Sequence, residues 1–368
     1  MARVLLINNR FGYNAVGGAE RIVEREQRSI CKNGDTTVVL ATEKFHGIAS
    51  FFIHQHSDEV DVYRWSPINI CSYEQLGTHS FLFRLIWHGW DVMNIPAALI
   101  LRSFIKRFNP DQISTHNVMG GAMMVRWCLM GGVKKILWRH TLHDIQLLQP
   151  SGIILWGHEQ SMAYVGLAAR AYRALTRLLI TPNIVVSPSQ WLLNEHRRWG
   201  FFLLCISRVE SPTAFLKPTK QRVTYGDRRA RMFLFVGQVE YHKGIAFLID
   251  ALKHYDHAYT LTVVGTGSRE SALRAYTRND SRYHWLGVKS LQELTSLYEQ
   301  CDAIIVPSLC YENAPTVIVE ARERLTPIIA SRIGGIPELI DDLQGLFEPN
   351  NELDCIRAIY SVVGPLRS

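Results

Sequence analysis

Short runs of β-branched and other apolar residues alternate with longer amphipathic stretches along almost the whole chain, a pattern that parallel strands joined by crossover helices bury well. In the first half, Val4–Ile7, Thr37–Ala41, Gln112–Ser114, Lys135–Trp138 and Ile184–Ser187 predict strands, and Ala19–Asn33, Gly121–Met130 and Gln190–Trp199 predict helices. The second half repeats the pattern more regularly, with strands at Met232–Val236, Thr260–Val264, Tyr283–Leu286, Ala303–Val306 and Pro327–Ala330. Helices are expected between them at Ile245–Tyr255, Ser268–Asn279, Leu291–Gln300, Pro315–Arg324 and Pro337–Ile340. The expected fold class is α/β, with two doubly wound units in tandem, and 368 residues suffice for two domains. Pro and polar residues break the periodicity at Ser211–Lys220, which places the boundary between domains at 1–212 and 221–368. A ligand is expected at the carboxyl edges of such sheets.

Composition narrows the function. With 47% hydrophobic and 20% charged residues the chain is neither disordered nor fibrous. Residues 1–216 carry 22 basic and 15 acidic side chains, so the whole net charge of +7 sits in the first part. Such a half suits an anionic neighbour, a membrane surface or a phosphorylated substrate, or is simply a solvated basic face. The basic residues stand singly or in pairs without a nucleic-acid-binding signature, so no nucleic-acid partner is expected. Seven cysteines without a Cys-x-x-Cys pair fit reduced thiols better than disulfides or zinc, and no metal is expected. No apolar run approaches the roughly 18 residues that span a bilayer. The expected location is cytoplasmic, with the inner face of the cell membrane as an option. Residues 80–105 mix bulky apolar side chains with Arg84 and Arg102, as either a core helix pair or a membrane-interface segment does.

Three glycine turns stand at predicted strand-to-helix junctions: Gly17-Gly18-Ala19-Glu20, Gly265-Thr266-Gly267 and Gly334-Gly335-Ile336-Pro337-Glu338. Glycines there let a backbone approach a ligand, and the helix start offers N–H groups to an anion. The strand ending Phe235-Val236 leads through Gly237 and Gln238 to Lys243-Gly244, placing an ammonium at a loop end. In Pro307–Ala321, Glu312 precedes a predicted helix and Glu320 lies within it among Val317, Ile318, Val319 and Ala321. A carboxylate in that setting needs a partner, either a ligand hydroxyl or Arg324 four residues on.

Together these residues resemble the retaining glycosyltransferases of family 4, which have the GT-B fold of two Rossmann-like domains facing across a cleft. The likeness rests on the Gly17-Gly18 turn, on Pro110–Asn117 ending in His116-Asn117, and on Thr141-Leu142-His143-Asp144. It rests further on Val236–Gly244, on Glu312 and Glu320 as a Glu-x7-Glu pair, and on Gly334–Glu338. The resemblance implies an N-terminal domain for a hydroxyl acceptor and a C-terminal domain for a nucleotide-diphosphate sugar; the basic charge of the first half adds lipid-linked acceptors among the options. Glu320 would hold the ribose hydroxyls, Glu312 the sugar hydroxyls, and Lys243 the leaving diphosphate. The backbone at Gly17 and Gly18 and around Asn313, Ala314, Pro315 and Thr316 would share that charge, with Gln238 beside it. His116 would border the transferred sugar, and His143 and Asp144 the acceptor. No cofactor beyond the co-substrate is implied, and the absence of a literal Asp-x-Asp agrees with metal-independent transfer. The implied setting is polysaccharide or glycolipid synthesis at the cell envelope; the charge of the basic first half adds peripheral membrane contact as an option.

The chain departs from the family pattern in three places. Gln238 stands where the family has Arg, Leu325-Thr326 where it commonly has Gly, and the sequence ends at Ser368, soon after the helical pattern of Asn351–Val362. These departures keep two alternatives open: a non-catalytic nucleotide-sugar-binding partner subunit, and a nucleotide-sugar epimerase of the same fold.

Overall fold

The computed structural model describes residues 1–12, 18–43, 53–57, 60–131, 135–212 and 229–364. Gly17 and most of the expected boundary segment, residues 213–220, lie outside the described residues. The chain divides into two compact units. Met1–Gly152, Ser161–Pro188 and Leu192–Val209 form the first, and Ile153–Gln160, Ser189–Trp191 and Glu210–Ser368 the second.

In chain order the first unit contains β1 (Arg3–Asn8), α1 (Gly18–Lys32), β2 (Thr36–Thr42), β3 (Ile53–Ser57), β4 (Val60–Trp65), α2 (Phe81–Val92), α3 (Ile95–Phe108) and β5 (Gln112–Thr115). It continues with α4 (Val125–Leu129), β6 (Leu137–Thr141), α5 (Met162–Val165), α6 (Leu167–Leu179), β7 (Ile184–Ser187), α7 (Gln190–Arg198, whose first two residues group with the second unit) and β8 (Ile206–Val209). Its sheet runs β3-β4-β2-β1-β5-β6-β7-β8, parallel throughout except that β3 pairs antiparallel with β4. Continuous apolar runs such as Val4–Ile7 and Val38–Leu40 are buried because helices cover the central strands of such a sheet. Asn94 caps α3 by accepting from the Ala97 N–H at 3.0 Å, and Asn109 ends it in the left-handed region.

The second unit contains β9 (Arg231–Val236), α8 (Ile245–Ala251), β10 (Tyr259–Val264), α9 (Glu270–Tyr276), β11 (Tyr283–Gly287) and α10 (Leu291–Gln300). Then come β12 (Ala303–Val306), α11 (Thr316–Glu323), β13 (Ile328–Ser331), β14 (Leu346–Phe347) and α12 (Glu352–Val363). Strand order is β11-β10-β9-β12-β13-β14, all parallel. Two apolar clusters pack on the sheet, one around Phe233, Leu248 and Ile359, the other around Leu234, Ile318 and Leu339. The architecture is GT-B, as the motifs implied.

Several expected elements shift. The helix over Gly121–Met130 shrinks to α4, because Gly120 and Gly121 adopt φ of 96° and 146°, which no right-handed helix accommodates. The Lys135–Trp138 strand moves along the chain to become β6, in register with β5 and β7. Of the Pro337–Ile340 helix, Pro337–Leu339 falls in a single 3₁₀ turn, Ile336–Leu339, and Ile340 follows it in extended backbone.

Leu325 answers one departure from the family pattern. It follows α11 with φ of 56°, the left-handed position that glycine usually fills at a helix end. Leu325→Gly is expected to stabilise the protein by about 0.5–1 kcal/mol, relief of backbone strain being partly offset by the freer unfolded chain. Chemical denaturation of the two proteins side by side checks this.

Candidate active site

Parallel strands all end at the same edge of a sheet, so loops that follow neighbouring strands meet there. In the second unit β9 and β12 are neighbours. After β9 the chain passes Gly237 and exposed Gln238, makes a 3₁₀ turn at Tyr241–Lys243, and enters α8 through Gly244. After β12 it runs through Pro307–Pro315 into α11. Gly244 joins these loops: its φ is 73°, and a Cβ there would lie 1.8 Å from the Pro307 carbonyl oxygen. The Leu309 N–H donates to the His242 carbonyl at 2.9 Å.

This contact brings two of the singled-out residues together. Lys243 Nζ lies 3.0 Å from Glu312 Oε2, and the Ser308 hydroxyl donates to Glu312 Oε1. Burial works against charge on both partners, but their mutual attraction outweighs it. The Glu312 carboxyl is held below its usual range, with Ser308 assisting, and the Lys243 ammonium above its own. The Gly334-Gly335 turn closes over the same segment. The Gly335 N–H donates to the Glu312 carbonyl at 2.8 Å, and a Cβ on Gly334 would sit 2.1 Å from that oxygen. Asn313 is buried, and its Oδ1 accepts from the Ser189 hydroxyl at 2.5 Å. Ala314, Pro315 and Thr316 are half-buried at the start of α11, where Pro315 offers no side-chain acceptor to the first N–H groups. Glu320 is buried in the second turn of α11 and accepts from the Tyr298 hydroxyl at 2.9 Å. Arg324 bonds the Glu320 main-chain carbonyl at 2.7 Å and lies 3.4 Å from the Glu323 carboxylate.

In the first unit α1 follows β1, His116 follows β5, and His143 comes two residues after β6. Gly18 is the first residue of α1. His116 Nδ1 lies 2.9 Å from His143 Nε2, and His116 Nε2 lies 3.3 Å from Glu26 Oε2. The His116 ring is wholly enclosed. Burial and the neighbouring His116 and His140 hold His143 well below its usual pKa, so it is neutral. Burial opposes charge on Glu26, yet His116, Arg139 and the Ser114 hydroxyl hold its carboxyl at about 2. Glu26 is absent from the sequence reading. Its signal is an acid on the inward stripe of a helix, beside Val23, Gln27 and Ile30.

Asp144 is half-buried, its carboxyl pushed up to about 6 by desolvation, and its Oδ1 accepts from the Gln146 N–H at 2.7 Å. It therefore shapes a turn and caps no helix. Gln146 Nε2 in turn donates to the Tyr73 hydroxyl at 3.0 Å. Tyr73 lines a small cavity with Asn9, Arg10, Thr42, Asn69 and Gly120, a group of residues that no sequence motif announced. Asp91, on the inner side of α2, underpins it by accepting from Asn69 Nδ2 at 3.0 Å and from the Gly120 N–H at 2.9 Å.

Burial pushes the Asp91 carboxyl up to about 7 from 3.8. A raised acid in the fold stabilises it below the unfolded value, and that contribution is lost as pH rises through the folded one. Asp91→Asn keeps a neutral side chain and is expected to flatten the fall in melting temperature between about pH 4 and pH 7. Glu26, with a lowered carboxyl, acts in the opposite sense below pH 4.5 and is common to both proteins, so the difference between their pH profiles isolates Asp91.

Comparison with known proteins bears on both units. Residues 230–364 match the family model described as Glycosyl transferases group 1. An uncharacterized 42.6 kDa protein in the cps region of Klebsiella pneumoniae is 22% identical over 96% of this chain and 92% of its own. An uncharacterized glycosyltransferase of Methanocaldococcus jannaschii is 33% identical over 39% of this chain and 41% of its own. Among solved structures, sucrose-phosphate synthase from Thermosynechococcus elongatus superposes with a TM-score of 0.71 at 18% identity, covering 98% of this chain and 90% of that one. Anabaena HepE in complex with UDP gives a TM-score of 0.61 at 16% identity, covering 98% and 89%.

Proposed function

We propose that this chain, whose second unit is that of a group 1 glycosyltransferase, moves a glycosyl group from a nucleotide-diphosphate sugar to a hydroxyl acceptor with retention at the anomeric carbon. The observation that carries the reading is the Lys243–Glu312 pair, an ammonium and a carboxylate held 3.0 Å apart beside the start of α11. As the bond to the leaving diphosphate breaks, negative charge grows on its oxygens, and a preorganised cation with unpaired helix N–H groups lowers that barrier. In this reading Lys243 and the backbone at Ala314–Thr316 take the diphosphate, and Gln238 lies beside it. Glu312 and Asn313 meet the sugar, Pro315 shapes the turn, and Glu320 takes the ribose hydroxyls. His116, expected beside the transferred sugar, has a wholly enclosed ring, so in this reading it acts by holding the end of β5 in place. His143 and Asp144 lie on the acceptor side, and Gln146 and Tyr73 link Asp144 to the cavity. The reaction draws on no metal or cofactor in this proposal.

The UDP bound by the structurally similar HepE supports a nucleotide as the ligand. The cps-region relative supports a setting in surface-polysaccharide synthesis; a lipid-carried acceptor at the inner face of the membrane belongs to the proposal itself.

The test is a titration of the full chain with UDP, GDP, ADP and their sugar conjugates, followed by melting temperature. One nucleotide series is expected to stabilise the parent by about 2–4 kcal/mol at 100 to 1,000 times its Kd, and Glu320→Ala to abolish the shift. An unchanged shift in Glu320→Ala would overturn the donor assignment. Bound nucleotide without transfer to any acceptor would favour a binding subunit, and an isomerised sugar released without acceptor would favour the epimerase.

A further inference from the structure

Helix α2 is apolar on two sides. Inward, Trp87 and Val92 are buried beside Asp91. Outward, Leu82, Leu85, Ile86, Trp90 and Met93 follow the spacing of one helix face and are each between 43% and 65% exposed. The stripe continues through exposed Ile95 and Leu99 on α3. At its side lie exposed Ile68 and Ile70, the Ile68 carbonyl accepting from Trp90 Nε1 and from Asn94 Nδ2. From Leu82 to Met93 the stripe is about 16 Å long. A surface helix of a water-soluble unit ordinarily turns polar residues outward, so a continuous apolar face marks a contact surface.

The charges identify what covers it. Between residues 79 and 108 the one acid in the sequence is Asp91, which is buried, whereas Arg84, Lys106 and Arg107 are exposed. Two copies of a face whose exposed charges share one sign repel each other. A surface apolar below and anionic above, with a place for an indole at its boundary, is a bilayer containing anionic lipid. We propose that the α2 and α3 face docks in the plane of an anionic membrane surface, the apolar stripe entering the headgroup region and Arg84, Lys106 and Arg107 meeting lipid phosphates. Among the described residues no helix is long and apolar enough to cross a membrane.

The docked face adjoins the cavity. In the segment 67–73, Ile68 and Ile70 are exposed beside the stripe, while Pro67, Asn69, Cys71, Ser72 and Tyr73 line the cavity. Docking would thus present the cavity's rim to the lipid surface, where the polar end of a lipid-carried acceptor is found. In this purpose, though not in its physical basis, the inference rests on the proposed transfer reaction.

The full-length chain is sedimented with phosphatidylcholine vesicles, with and without phosphatidylglycerol. Binding is expected to need phosphatidylglycerol and to weaken about fivefold in Arg84→Ala. Ile86→Glu is expected to weaken it by on the order of tenfold or more. Both variants change exposed positions and are expected to keep the parental melting temperature and nucleotide-induced shift. Failure of the parent to sediment with either vesicle, or undiminished sedimentation of both variants, overturns the docking. So does a parent that is dimeric by light scattering and monomeric as Ile86→Glu, which assigns the face to a second copy. Loss of vesicle binding beside an intact nucleotide shift removes the docking and leaves the transfer reading; vesicle binding without any nucleotide shift does the reverse.

Discussion

Lys243→Met is expected to lower turnover about 10²–10³-fold, the usual loss when one preorganised charge partner is removed from a developing anion. The pair geometry adds a second consequence. The ammonium is paired with Glu312 at 3.0 Å, so its removal leaves a largely enclosed carboxylate that still accepts from the Ser308 hydroxyl. Stripping one partner from a fully buried ion pair costs about 3–5 kcal/mol, and the partial exposure here reduces the expected loss to about 2 kcal/mol. Glu312→Gln combined with Lys243→Met removes that uncompensated charge. The double variant is therefore expected to regain most of the melting temperature and none of the turnover. Steady-state kinetics with the identified donor, alongside thermal melts of the parent and both variants, separates the two effects. Near-parental turnover in Lys243→Met would remove the residue from the diphosphate.

Gly244→Ala is expected to cost about 3–5 kcal/mol, combining the left-handed backbone with a steric overlap. With φ of 73°, its Cβ would fall 1.8 Å from the Pro307 oxygen, a backbone atom that no rotamer change relieves. Gly287 supplies the control: its φ is 66°, but a Cβ there meets nothing within 4 Å. Gly287→Ala is therefore expected to cost only about 1–2 kcal/mol. The melting transition of the second unit, measured in the intact protein, distinguishes them. Equal losses would show that backbone conformation alone matters at Gly244 and that the two loops are not locked by close approach.

Much of the second unit was legible because its signals are local. A buried parallel strand must be apolar along its whole length, and Met232–Val236, Ala303–Val306 and Pro327–Ala330 are recognisable without reference to the rest of the chain. The first unit was less legible where its patterns are mixed. Strand β4 reads Val-Asp-Val-Tyr-Arg-Trp, with polar residues interleaved because it lies next to the sheet edge, and β3 pairs with it as His-Gln-His between two other residues. Helix α6 carries Arg173 inward, where it bonds the Tyr164 carbonyl and stacks over Trp199, so its buried face does not look apolar.

The site divides in the same way. Glycine turns, the Glu-x7-Glu spacing and histidines at strand ends are one-dimensional features, and from these the sequence alone determined the fold class, the edges at which chemistry would gather, and the residues worth testing. Tertiary structure decided which of them meet. Lys243 and Glu312 are 69 residues apart in the chain and pair because β9 and β12 are neighbours; Glu26 reaches His116 because α1 packs beside β5. Whether the apolar residues of 80–105 are core or surface was equally a matter of packing, since a helix apolar on two sides buries whichever face its neighbours cover. Periodicity records how each segment wants to be solvated; partners, protonation and exposure depend on atoms that distant segments bring, and these exist only once the chain has folded.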